Sequence, residues 1–142
     1  MCFAEKTLMK IRILLIAVLL ALFLTLYEPA YGEGQVKYII QVSSDGSAAW
    51  TIIQWGDIHL DIQFPDKVTS LLETARNETQ RDMNAQVTNI TLTPFESYIV
   101  IEYKFYWTNF GRIEDARIAI GDVFQVEDFF GQLYGDGEVN II

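Results

Sequence analysis

The chain has 142 residues, a single cysteine, a single histidine and a formal net charge of −9. From Glu33 onward seventeen Asp and Glu stand against seven scattered Lys and Arg, a net of about −10, which excludes a phosphate-tracking nucleic-acid surface and disfavours docking on anionic headgroups. The cysteine is Cys2, so residues beyond it form no intramolecular disulfide and must be held by packing.

The first element is a leader. Lys6, Lys10 and Arg12 precede the uncharged run Ile13 to Tyr27, and Pro29 and Ala30-Tyr31-Gly32 follow. A positive start, an apolar centre and small residues before a cut predict a secretory signal over residues 1–32. Fifteen helical residues span roughly 22 Å, short of the roughly 30 Å of bilayer hydrocarbon, which favours a cleaved signal over the alternative, an N-terminal membrane anchor. Either reading places residues 33–142 outside the cytoplasm as one domain. Cys2 precedes the apolar run, whereas a lipid-attachment cysteine would follow it.

Gln35 to Ser43 and Ser47 to Trp55 read as two strands joined through Asp45-Gly46, a strong hairpin signal because glycine tolerates the positive φ of a tight turn. Val36, Tyr38, Ile40 and Val42 give the first strand an apolar face; its other face is mixed. Beyond Trp55 comes Asp57-Ile58-His59-Leu60-Asp61. If extended, this segment turns Asp57, His59 and Asp61 to one side as a carboxylate–imidazole set for a divalent cation. Same-face neighbours about 7 Å apart converge poorly on one ion, so no metal site is favoured.

Phe64-Pro65-Asp66 predicts a helix entry, with proline in the first turn and Asp66 meeting the dipole. Val68, Leu71, Leu72 and Ala75, continued by Thr79 and Met83, predict an amphipathic helix of about four to five turns with one buried stripe. Gln86 to Thr93 and Ser97 to Thr108 follow as strands. The second carries Ile99, Ile101, Tyr103, Phe105 and Trp107 on one face and Tyr98, Val100 and Tyr106 on the other, which predicts a central position. Shorter strands are expected at Arg117 to Ile120 and Glu138 to Ile142, and the abrupt apolar end reads as a truncation. The expected fold class is α+β: an antiparallel sheet of about four to six strands with one amphipathic helix packed on one face.

Asn77-Glu78-Thr79 and Asn89-Ile90-Thr91 are N-glycosylation sequons, with Asn77 on the polar side of the helix and Asn89 facing outward from its strand. Tyr106 and Phe110 are expected at the surface as ligand or partner contacts, as are Phe129 and Phe130. Catalysis is not indicated: residues 33–142 hold no cysteine, no Gly-x-Ser-x-Gly elbow and no serine at a readable spacing from His59. No cofactor is implied.

Asp45-Gly46-Ser47-Ala48 with Trp50, Trp107-x-x-Phe110, Gly121-Asp122-Val123-Phe124 and Tyr134-Gly135-Asp136-Gly137 together resemble an uncharacterised exported domain of archaeal membrane proteins. The resemblance implies a domain often joined to a transmembrane helix and a cytosolic winged helix-turn-helix, hence signalling across a membrane. It supplies no catalytic residues. The expectation is a non-enzymatic extracytoplasmic interaction or ligand-sensing module, secreted or anchored at the cell surface. Its contacts are expected in the loops Asp57 to Phe64 and Gly121 to Gly135. Its partner would be an envelope component or membrane protein, with membrane contact through the N-terminal segment if that is not cleaved. The alternatives are a self-assembling structural envelope protein and a metal-assisted hydrolase using Asp57, His59 and Asp61.

Overall fold

The computed structural model describes residues 35–126 and 129–142, all within the unit Gly34–Ile142. The expected leader, residues 1–32, lies outside the described residues. Among the described residues no helix is long and apolar enough to cross a membrane.

Strand β1 (Gln35–Val42) turns back into β2 (Ala48–Gly56) at the expected Asp45-Gly46. The Asp45 carboxylate accepts from the Ser47 N–H at 2.9 Å and the Ser47 hydroxyl at 2.6 Å, an Asx-type lock on the turn. Gly46 adopts φ +81°, and a Cβ there would lie 2.5 Å from the Gly111 carbonyl oxygen. That close approach exists because the Gly111 N–H donates to the Gly46 carbonyl at 2.7 Å, tying the hairpin to the end of a distant strand.

Helix α1 (Phe64–Thr79) carries Pro65 in its first turn and buries Phe64, Val68, Leu71, Leu72 and Ala75. Burying side chains of this kind contributes about 1.5–3 kcal/mol each for the larger ones. The 16 residues of α1 make the four to five turns that the apolar spacing predicts, with Thr79 in the last turn, but Met83 lies beyond the helix. Gln80 takes a left-handed φ of 55° and donates its N–H to the Arg76 carbonyl, so the chain leaves the helix axis, and Met83 reaches the core from the following loop.

Strands β3 (Asn84–Pro94) and β4 (Ile99–Thr108) complete the antiparallel part of the sheet. β4 pairs with β2 on one side and β3 on the other, the central place its two-sided sequence predicts. The small hairpin β5 (Arg112–Glu114) and β6 (Arg117–Ala119) turns through Asp115 and Ala116, both at positive φ. The short helix α2 (Gly121–Phe124) and strand β7 (Glu138–Ile141) follow.

The expected α+β arrangement, an antiparallel sheet covered by one helix, is overturned. The five-stranded sheet has the order β3-β4-β2-β1-β7 and is mixed, because β7 runs parallel to β1. Among the described residues strand outweighs helix by 45% to 19%, which makes the fold mostly sheet. The physical reason lies in the crossover. A parallel partner needs a long connection, and the segment between β4 and β7 supplies it by passing over the core face. There Val123, Val126, Phe129 and Leu133 are buried with Tyr38, Ile40, Trp50, Ile52, Tyr103, Phe105 and Trp107. The core is therefore shared between α1 and an irregular aromatic-rich segment.

Arg81 fixes the start of that segment. Its guanidinium donates to the carbonyls of Asn109 at 2.9 Å and Phe110 at 3.2 Å and pairs with Asp122 at 3.0 Å, linking the α1–β3 loop, the end of β4 and α2.

Candidate functional site

An apolar cleft of about 460 Å³ lies at the β7 end of the sheet, lined by Phe124, Val126, Phe129, Phe130, Gly131, Asp136, Val139 and Ile141. Three pieces of local structure make it. Phe124 ends α2; the Phe130 carbonyl then accepts from the N–H groups of Leu133, Tyr134 and Gly135 at 3.0–3.1 Å, curling residues 130–135 into a tight turn. Gly135, at φ 82°, leads the chain out of that turn and into β7.

Tyr38 pins the turn to the sheet. Its ring lies 4.7 Å from that of Phe130, and its hydroxyl donates to the Gly135 carbonyl at 2.6 Å. Burial pushes the Tyr38 phenol up to about 12; the backbone near Tyr134 opposes this and Asp136 adds to it. Phe130 also stacks with Phe124 at 5.6 Å and meets Phe129 edge-on at 5.3 Å. Aromatic faces thus form one wall, and β7 forms the other.

Val139 pairs with Tyr38 and Ile141 with Ile40, so both side chains share the core face, yet they remain 39% and 47% exposed because the cleft leaves them uncovered. The Ile142 N–H donates to the Ile40 carbonyl and its own carbonyl accepts from Val42, which turns Ile142 toward β1. Alternation directs the N–H and C=O groups of Val139 and Ile141 the other way, to an edge with no further strand among the described residues.

Gly137 sets the approach of this wall. A Cβ there would lie 2.3 Å from the Val36 carbonyl oxygen and 2.9 Å from its carbon, backbone atoms that cannot swing aside. Gly137→Ala is expected to cost about 1–3 kcal/mol by forcing β7 off β1. Hydrogen exchange should accelerate at Val42 and Ile142, whose N–H groups bridge the two strands; unchanged protection there would refute the account.

The sequence-predicted residues are only partly brought together. Phe129 and Phe130 do line the cleft, with Phe129 buried as part of its floor. Phe110 is not a surface contact. The chain turns at Asn109, φ 54°, and returns Phe110 to full burial, edge-on to both Trp50 at 5.5 Å and Trp107 at 5.4 Å. Tyr106 is exposed on the opposite face of the sheet, opposite Ala49 and Gln86, and takes no part in the cleft.

Asp57, His59 and Asp61 follow the end of β2 and do not lie on a strand. Among the described residues no group of three or more His, Cys, Asp or Glu is placed to hold a metal. Asp61 is committed elsewhere: its carboxylate pairs with Lys67 at 2.6 Å and accepts from Tyr134 at 3.2 Å and the Gln63 N–H at 2.9 Å. Burial works against the charged form, but the Lys67 ammonium and the Gln63 N–H together hold the Asp61 carboxyl below its ordinary value. The metal-assisted hydrolase reading loses its third ligand to this structural cluster. Asn77 is exposed near the end of α1, and Asn89 is exposed on β3.

Phe124 and Val126 lie within the loop Gly121 to Gly135 where contacts are expected, whereas nothing in the sequence reading places Val139 and Ile141 in the lining. The available signal was an alternating apolar strand following an aromatic-rich segment, but nothing local announces that the two are adjacent.

These features define a mostly-β module with a mixed sheet, an aromatic core and an apolar cleft beside a sheet edge that pairs with no further strand among the described residues. The chain belongs to a domain family of unknown function, DUF7345, which matches residues 54–141 from the end of β2 through β7. No curated protein and no solved structure matches the chain.

Proposed function

We propose that this chain is a non-enzymatic, extracytoplasmic interaction module that binds an extended apolar peptide segment of an envelope or membrane protein along β7. The observation that carries the reading is the cleft itself: Val139 and Ile141 present apolar side chains to an aromatic wall while their backbone groups point to an edge that no strand among the described residues occupies. Strand addition uses both at once, main-chain hydrogen bonds for affinity and pockets for alternate side chains for specificity. Asp136 at the rim and the acidic surplus of the domain favour a segment flanked by basic residues.

Export is supported by the composition of residues 1–32, and the resemblance to exported domains of archaeal membrane proteins supports a place at the cell surface. In that setting the module would report on, or attach to, a neighbouring membrane protein.

The test uses the full chain and synthetic peptides of alternating apolar residues with lysine flanks. Binding is expected to slow hydrogen exchange at Val139 and Ile141, and Ile141→Asp should abolish it by placing a charge in the cleft without touching the buried core. Peptide binding that leaves those amides unprotected, or that survives Ile141→Asp, would place the site elsewhere. Cell fractionation with N-terminal sequencing tests export separately.

A further inference from the structure

The two sequons differ in a way that only the fold reveals. Asn77 and Thr79 lie within α1, where residues two apart do not face each other, and the Thr79 hydroxyl donates to the Ala75 carbonyl at 2.7 Å. Asn89 and Thr91 lie on extended chain, where residues two apart share a side. Their side chains meet: the Asn89 Nδ2 donates to the Thr91 Oγ1 at 3.1 Å, and both residues are exposed. The register slips between Val87 and Asn89, leaving Thr88 as an extra residue immediately before the sequon on an edge strand. An enzyme that must read the amide and the hydroxyl together finds them presented jointly at Asn89 and separated at Asn77.

We propose that Asn89, and not Asn77, is the N-glycan acceptor of the folded domain. The assignment rests on the export reading for its occurrence in cells. In the transfer step the Asn89 Nδ2 bonds to the anomeric carbon of a lipid-phosphate-linked sugar donor. The bond from that carbon to the phosphate oxygen breaks with its electron pair leaving on the phosphate, and the amide gives up one proton to a base. Asn89 pairs with Lys104 across the strands and so stands on the sheet face opposite the core. A glycan there covers the long β3 edge against pairing with other chains and leaves the β7 edge as the open one.

The experiment supplies a purified oligosaccharyltransferase and lipid-linked oligosaccharide to the full chain, folded or held in denaturant and diluted at the moment of assay, with intact mass and peptide mapping as readout. The folded chain is expected to gain one glycan, at Asn89, and to lose that gain in both Asn89→Gln and Thr91→Val, while Thr79→Val changes nothing. The unfolded chain is expected to be modified at Asn77 as well. A folded chain modified at Asn77, or unmodified at Asn89, overturns the proposal. Modification of the purified chain at Asn89 combined with an unmodified chain from its own cells would sink the export reading alone and leave the acceptor assignment standing.

Discussion

Trp50→Ala is expected to destabilise the domain by about 3–5 kcal/mol and to lower its melting temperature by on the order of 15 °C or more. Trp50 is 1% exposed and sits where the sheet meets the crossover segment. Its ring centroid lies 5.2 Å from Phe105 and 6.0 Å from Trp107 on the neighbouring strand, 5.5 Å from Phe110, and 5.6 Å and 6.2 Å from Phe129 and Phe130. Removing the indole therefore opens a cavity bordered by both walls of the structure. Domains of this size are stable by about 5–15 kcal/mol in total, so the loss consumes a large share. The cleft should fail together with the fold, since Phe129 and Phe130 would lose a surface to pack on.

The companion variant separates volume from polarity. The Trp50 Nε1–H is buried with no hydrogen-bond partner among the described residues, a condition that costs about 1–3 kcal/mol. Trp50→Phe keeps most of the ring contacts and removes that orphan donor, so its loss should stay below about 2 kcal/mol. Thermal and urea unfolding of the two variants decide the matter: equal losses would mean that ring packing is not what Trp50 contributes.

How far the sequence foretold this structure depends on the range over which each feature is determined. The Asp45-Gly46 hairpin, the buried stripe of Val68, Leu71, Leu72 and Ala75, and the central place of the strand ending at Thr108 follow from neighbours within a few residues, and each is found. The α+β class failed because strand direction carries no local mark. Glu138 to Ile141 alternates equally well parallel or antiparallel to β1, and only the path of the crossover decides. Phe110 departs from its expected surface position for a related reason: strand alternation continued past Thr108 would put it on the side of Tyr106, whereas the left-handed Asn109 reverses the chain. Arg81, an ordinary surface arginine in the sequence, becomes a linchpin only when Asn109, Phe110 and Asp122 converge on it. The cleft is non-local in the same sense, since α2, the turn at Phe130 and β7 meet through Tyr38, a residue about a hundred positions upstream.

That dependence on Tyr38 leads to the second large effect, an alkaline loss of stability. In the unfolded chain the phenol titrates near its ordinary 10.0, while burial lifts it to about 12 in the folded domain. The folded state therefore holds a proton that the unfolded state releases. The stabilisation is fully present below pH 10, falls as pH rises from 10 to 12, and is gone above the folded value. At about 1.4 kcal/mol for each pH unit, and allowing for solvent screening near the cleft, the loss is roughly 2 kcal/mol. Tyr134 acts in the same direction: burial first, then its contacts with Tyr103 and Asp61, raise its phenol as well. Tyr38→Phe is expected to cost about 1 kcal/mol at neutral pH, because the Gly135 carbonyl loses its phenol donor, and to flatten the decline between pH 10 and 12. Urea unfolding from pH 7 to 12 would measure both limbs. Because the same hydroxyl holds the turn that carries Phe130, the variant should also loosen the cleft at neutral pH, read as faster hydrogen exchange at Leu133, Tyr134 and Gly135. A wild-type alkaline limb that Tyr38→Phe leaves unchanged would assign the sensitivity to Tyr134 and remove Tyr38 from the account.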